Sequence, residues 1–149
     1  MDSRALKRCA ERTLLSLGFQ WVGHSFKRHD SDVWTLVDLQ KGFSDQWFVN
    51  VGFWLDRLDG DCPDRVEKTH LYFRLERLVP EHFETIRLAG ALDEADQPQA
   101  CEELLELAGV IDAELRALGT EAGLRKAMAE GRLAQGLVWK HARDWLEVR

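Results

Sequence analysis

Acid–base chemistry needs two titratable side chains held together, one of them drawn out of water. Asp38 and Glu76 with His70 are the groups this sequence offers for it, since strand alternation puts all three on one face of a β-prone region. Arg74 falls on the same face and would pair with either acid, keeping both ionised and making them poor general acids. Other constellations fail on spacing. The five histidines, His24, His29, His70, His82 and His141, form no H-x-x-x-H or H-E-x-x-H pair. Cys9, Cys62 and Cys101 are odd in number and too far apart for a zinc site or a disulfide framework, so reduced thiols are expected. Asp56, Asp59, Asp61 and Asp64 lack the carboxylate ladder and closing glutamate of an EF-hand and read as a solvated loop. There is no G-x-S-x-G elbow and no phosphate-cradling glycine loop. The expectation is no catalytic residue, no metal and no cofactor.

The residues on that face suit recognition better. Period-two alternation gathers Trp34, Asp38 and Gln40, then Phe48, Asn50 and Trp54, then Tyr72 and Arg74. Amides and a guanidinium among aromatics can orient a polar ligand on an apolar floor, and Trp, Tyr and Arg dominate interface hot spots. Trp34, Gln40, Asn50, Trp54, Tyr72 and Arg74 are therefore the candidate ligand- or partner-binding residues. Gly52 in the same run predicts a close approach by another backbone or by a ligand. The competing expectation is that C-terminal helices roof this face and make its aromatics core. A one-residue slip in register would swap the two faces.

The elements that would position these residues are legible from periodicity. Residues 1–17 read as a helix, with Leu6, Ala10, Leu14 and Leu17 on one stripe, Ser3 as N-cap and Gly18 as the C-terminal glycine. Residues 19–77 read as four strands: Phe19–Arg28, Val33–Lys41, Gln46–Asp56 and His70–Arg77. Short links between them require an antiparallel meander. The odd positions, such as Val37, Val51 and Phe73, form the main core. Residues 80–146 read as helical: a start at Pro80, then Ala100–Leu118, Thr120–Glu130 and Leu133–Leu146. The fold class is α+β, with three to four C-terminal helices packed on the sheet and residues 1–149 as a single domain.

Composition narrows the partners. A net charge of -6 and a pI near 5.4 argue against a nucleic-acid binder, despite the locally basic stretch from Arg125 to Arg143. No apolar run reaches the roughly 18 residues of a membrane span, and the first residues lack a signal-peptide pattern, which points to the cytoplasm. Asp93 to Glu114 carries eight acids and no basic residue, a surface able to steer a basic protein.

Four fragments in order carry a resemblance: Leu17-Gly18-Phe19, Phe26-Lys27-Arg28, Val37-Asp38-Leu39-Gln40-Lys41 and Phe48-Val49-Asn50-Val51-Gly52. Over residues 17–52 the chain resembles the bacterial family called domain of unknown function 4304 (DUF4304), although Asp38 stands where asparagine is common. The resemblance implies a compact α+β fold in a bacterial protein and no established activity, and it draws notice to Gln40 and Asn50. The resulting expectation is a non-enzymatic binding or protein-interaction module, immunity-like in its acidic balance, taking a protein, a peptide or a small polar ligand. A homodimer using the same face is a further expectation. The alternative is a small hydrolase or transferase using Asp38 or Glu76 with His70.

Overall fold

The structure is a computed structural model that describes residues 3–42, 46–89 and 97–147. Its first helix, α1 (Ser3–Ser16), ends in a Schellman turn: Gly18 takes φ +94°, Phe19 N–H donates to the Leu14 carbonyl and Gly18 N–H to that of Leu15. The Leu-Gly-Phe fragment is thus a helix stop that drops Phe19 into the core, where it is 1% exposed.

The chain then builds one antiparallel sheet in sequence order: β1 (Gln20–Val22), β2 (Ser25–Asp30), β3 (Val33–Lys41), β4 (Trp47–Leu55), β5 (Leu71–Arg74) and β6 (Leu137–Val138). The α+β class and the meander stand, with six strands in place of four. The expected strand at residues 19–28 is a hairpin, because Gly23 adopts φ +67° and turns the chain between β1 and β2. The strand expected over residues 70–77 stops at Arg74. Leu75, Leu78 and Val79 are all buried at helical spacing, and α2 (Leu75–Leu78) turns them inward ahead of α3 (Phe83–Ala89). The helix expected from Leu133 instead holds β6 and α6 (Lys140–Glu147). Gly136 lies so close to the Phe73 ring that a Cβ there would sit 2.1 Å from it, and this closeness lets the chain lie flat along β5. The loop expected at 42–45 falls mostly outside the described residues.

The odd positions of β3, β4 and β5 face the helices. Val37, Val51, Phe53, Leu71 and Phe73 join Ile111, Leu115 and Leu118 of α4 (Gln97–Leu118) and Leu124 and Ala127 of α5 (Glu121–Ala129) in one core. Ala142 and Leu146 of α6 complete it. Thr120 caps α5 as expected, its hydroxyl accepting from Gly123 N–H.

A buried ion pair locks this inner layer. Arg28 on β2 is 6% exposed and donates to Asp112 of α4 at 2.6 Å, to the Leu17 carbonyl at 2.9 Å and to Asp30 at 3.1 Å, while its guanidinium lies over the Phe19 ring. The acidic run of α4 is therefore partly consumed inside the molecule: Asp112 holds Arg28 and Arg116, and Glu114 holds Arg132. Cys9 on α1 is buried and disulfide-bonded, which overturns the expectation that the thiols are reduced; Cys62 is free.

Candidate recognition face and its histidine clamp

The strand register places the even positions of β3, β4 and β5 together, as alternation predicts. Across β3 and β4, Trp34 pairs with Trp54, Leu36 with Gly52, Asp38 with Asn50 and Gln40 with Phe48; across β4 and β5, Asn50 pairs with Arg74 and Gly52 with Tyr72. All share the outer face, opposite the helical layer. What covers that face differs from both expectations, because its centre is roofed by the connection between β4 and β5. A 3-10 turn at Val66–Lys68 descends onto Gly52, where a Cβ would lie 2.2 Å from Thr69 Oγ1 and 2.9 Å from the Val66 carbonyl. The glycine in the strand marks a close approach by the protein's own backbone. This roof divides the outer face into two ends.

At one end Asn50 is the hub. Its Nδ2 donates to Asp38 Oδ1 and to Gln40 Oε1, both at 2.9 Å, which sets the amide orientation because those two oxygens only accept. Asn50 is 2% exposed, Asp38 is half-buried, and Gln40 is exposed at the rim. Arg74 lays its guanidinium 3.7 Å from the centre of the Phe48 ring. Two buried polar atoms here lack a partner: Asn50 Oδ1, an acceptor, and Arg74 Nη1, a donor. Burial raises the Asp38 pKa against the lowering effect of the Asn50 bond, and the Glu67 carboxylate on the roof pushes the same way as burial. Tyr72 is also held up, first by burial and then by Asp38.

The other end is closed by aromatic stacking. The Trp54 ring lies 3.8 Å from that of His70 and nearly parallel to it, its Nε1 donates to the Gly60 carbonyl, and Trp139 meets both rings edge-on. Trp54, expected among the binding residues, is 7% exposed and is engaged by His70, Trp139 and the Gly60 carbonyl, so here it braces the roof. Trp34 is half-buried, tilts against His29, and lines a cleft of about 390 Å³ with Lys27, Asp56, Asp61 and Cys62. His29 in turn hydrogen-bonds Asp56. Burial pushes the Cys62 thiol up to about 11, so it stays protonated.

His70 belongs to a cluster that spacing could not reveal. Its Nδ1 accepts from Leu55 N–H at 2.9 Å, so its proton sits on Nε2, which donates to Asp59 Oδ2 at 2.6 Å. His141 Nε2 donates to the same oxygen at 2.8 Å from 82 residues away. Among the described residues these three are the group whose ligand-type atoms converge as for a metal ion. The tautomer argues against that use, since a metal on His70 Nε2 would force a proton onto Nδ1, directly opposite the Leu55 N–H. The arrangement is a clamp in which one carboxylate oxygen ties the β4–β5 connection to β5 and α6. The two imidazole N–H groups hold the Asp59 carboxyl below the usual carboxylate range, while burial lowers the pKa of His70.

The pairing imagined for a hydrolase does not form. Both ring nitrogens of His70 are taken by Leu55 and Asp59, Asp38 is bonded by Asn50, and Glu76 sits on α2 beside a different cleft with Pro80, Phe83 and Arg132.

The family described as Domain of unknown function (DUF4304) matches residues 10–110. The chain belongs to this family. The match takes in α1 from Ala10, strands β1 to β5 and much of α4, and thus the whole Asn50 end of the outer face; His141 lies beyond it. No curated protein and no solved structure matches the chain. The four fragments that carry the family pattern have physical roles here: the Schellman stop, the Arg28 lock, the Asp38–Gln40 acceptors and the Asn50–Gly52 hub with its roof contact. No helix among the described residues is long and apolar enough to cross a membrane.

Proposed function

We propose that this chain is a non-enzymatic recognition module whose binding residues are Gln40, Asn50, Tyr72 and Arg74, with Phe48 as their apolar floor. One observation carries the reading: a buried donor on Arg74 and a buried acceptor on Asn50, cross-strand neighbours, are both left without a partner. Each such atom costs about 1–3 kcal/mol of desolvation, more for a charged group, and a bound polar partner recovers it. Trp34, 16 residues before Asn50 and at the other end of β3, lines a separate cleft and extends the contact surface. The partner in this reading is a protein segment, a peptide or a small polar ligand. Immunity-like capture of another protein and pairing with a second copy are special cases of it.

Nuclear magnetic resonance of the labelled full chain tests it. In a screen of capped tripeptides, binders should move the Asn50 side-chain amide together with the Tyr72 and Arg74 backbone signals, and Arg74→Gln should abolish the response. Binders that move only residues elsewhere would overturn the assignment, as would turnover of ester or phosphate substrates lost on Asp38→Asn.

Bacterial origin and cytoplasmic placement belong to the same proposal. The disulfide at Cys9 pulls toward an oxidising compartment. A thiol count on protein from acid-quenched cells tests the placement: a Cys9 disulfide already formed in the cells would overturn the cytoplasmic reading.

A further inference from the structure

We infer that the cleft between α2 and the turn after α5 binds an organic cation, an ammonium or guanidinium head on an apolar stem, with the Glu76 carboxylate as its counter-charge. The site is separate from the Asn50 end of the sheet and independent of the recognition reading. Glu76 is 4% exposed, yet its carboxylate takes no hydrogen bond or ion pair among the described residues. It lines a cleft of about 530 Å³ instead. A carboxylate removed this far from water is normally held by a cation, because desolvating an unpaired charge costs far more than desolvating a neutral group.

The chain's own cations in the cleft are committed elsewhere. Arg132 donates to Glu114 at 2.8 Å, which ties the turn after α5 to α4. Arg77 follows Glu76 directly on α2, and adjacent residues on a helix do not face each other. Its guanidinium lies 5.2 Å from the centre of the Phe83 ring. Glu76 is thus left with open space before it and no charge to fill it.

Chemistry narrows the occupant. A water or a hydroxyl can donate to the carboxylate but leaves its charge uncompensated. An anion is repelled by Glu76 and by Glu81, which lines the same cleft. A calcium or magnesium ion needs about six oxygens. Pro80 and Phe83 present carbon, and among the described residues Glu76, Glu81 and Glu114 do not bring their oxygens together as metal ligands do. An alkylammonium or alkylguanidinium fits both features, its head on Glu76 and its stem along Pro80 and Phe83.

n-Butylammonium, n-butylguanidinium and 1-butanol, titrated separately into the full chain at pH 7.5 and constant ionic strength, test the inference through the Glu76 carboxyl carbon and the Phe83 backbone amide. At least one of the two cations should shift both signals, and 1-butanol should shift neither. Glu76→Gln, which keeps the size of the side chain, should weaken binding about tenfold or more. Glu81→Gln, at an exposed position, should weaken it no more than about threefold. The comparison of cation with alcohol on the unaltered chain decides the matter even if a variant fails to fold. A response to 1-butanol matching that to the cations would overturn the site, as would a Glu76 signal that neither cation moves or an equal loss in Glu81→Gln. A Glu76 carboxyl that is protonated at pH 7.5 would overturn it too, since a neutral acid needs no counter-charge.

Discussion

Gly52 and Arg28 show how single residues set the two faces of the sheet. Gly52 is required by proximity, because the roof over the outer face lies where a side chain would project. Gly52→Ala should displace Thr69 and the Val66 carbonyl and cost about 1–3 kcal/mol, the usual penalty of overpacking. Urea unfolding followed by tryptophan fluorescence reads it, and an unchanged midpoint would show that the roof moves aside freely. Arg28 does the opposite work on the inner face, joining β2, α4 and the end of α1 through one guanidinium. Arg28→Ala removes one of the two guanidinium partners of the Asp112 carboxylate, leaving Arg116, and should cost about 1.5–3 kcal/mol in the same assay. Gln40 and Asn50 differ from both, since their side-chain bond joins only β3 and β4, which the sheet already pairs.

The elements that close the outer face are held by titratable groups, and this makes their docking pH-dependent. His70 is buried as the neutral ring, with Nδ1 accepting from Leu55 and Nε2 donating to Asp59. Its pKa in the folded protein lies below the ordinary 6.5. Above 6.5 neither the folded nor the unfolded chain protonates it; below 6.5 the unfolded chain takes up a proton that the folded one resists, so stability falls with pH. The Asp59 carboxyl, ordinarily near 3.8 and lowered by the His141 and His70 bonds, adds a second loss only below that value. The urea midpoint should therefore be lower at pH 5.5 than at pH 7.5. His70→Asn, which keeps an acceptor for Leu55 N–H but cannot titrate, should flatten that slope even if the variant is less stable throughout. A slope of equal size in the variant would place the titration elsewhere.

Over the molecule as a whole, one core joins the inner sheet face to α1, α4, α5 and α6. β3 and β4 are the central strands, paired along nine residues, whereas β1 and β6 are short edges. Hydrogen exchange should accordingly be slowest at Val37, Val51 and Phe53 and fastest at β1 and β6. Reducing the Cys9 disulfide should lower the unfolding free energy by about 2–4 kcal/mol without changing the fold, seen as a drop in melting temperature with a retained circular dichroism spectrum.

The α+β class, the meander, the helix stop at Gly18 and the two-faced sheet were all legible along the chain, because each depends on local periodicity or on a backbone angle that one residue type supplies. The outer-face residues Gln40, Asn50, Tyr72 and Arg74 were legible for the same reason. Helix was expected from Leu133 to Leu146; α6 bears it out from Lys140, but the residues before it do not, since the two strand residues of β6 form only against β5 and next to Phe73. Nor could spacing reveal that Asp59 meets His141, that Glu76 leaves the sheet with α2, or that Trp54 is sealed by the chain's own roof. Periodicity reports which way a side chain points; what it meets there depends on segments brought together from tens of residues away, and only the packed molecule decides that.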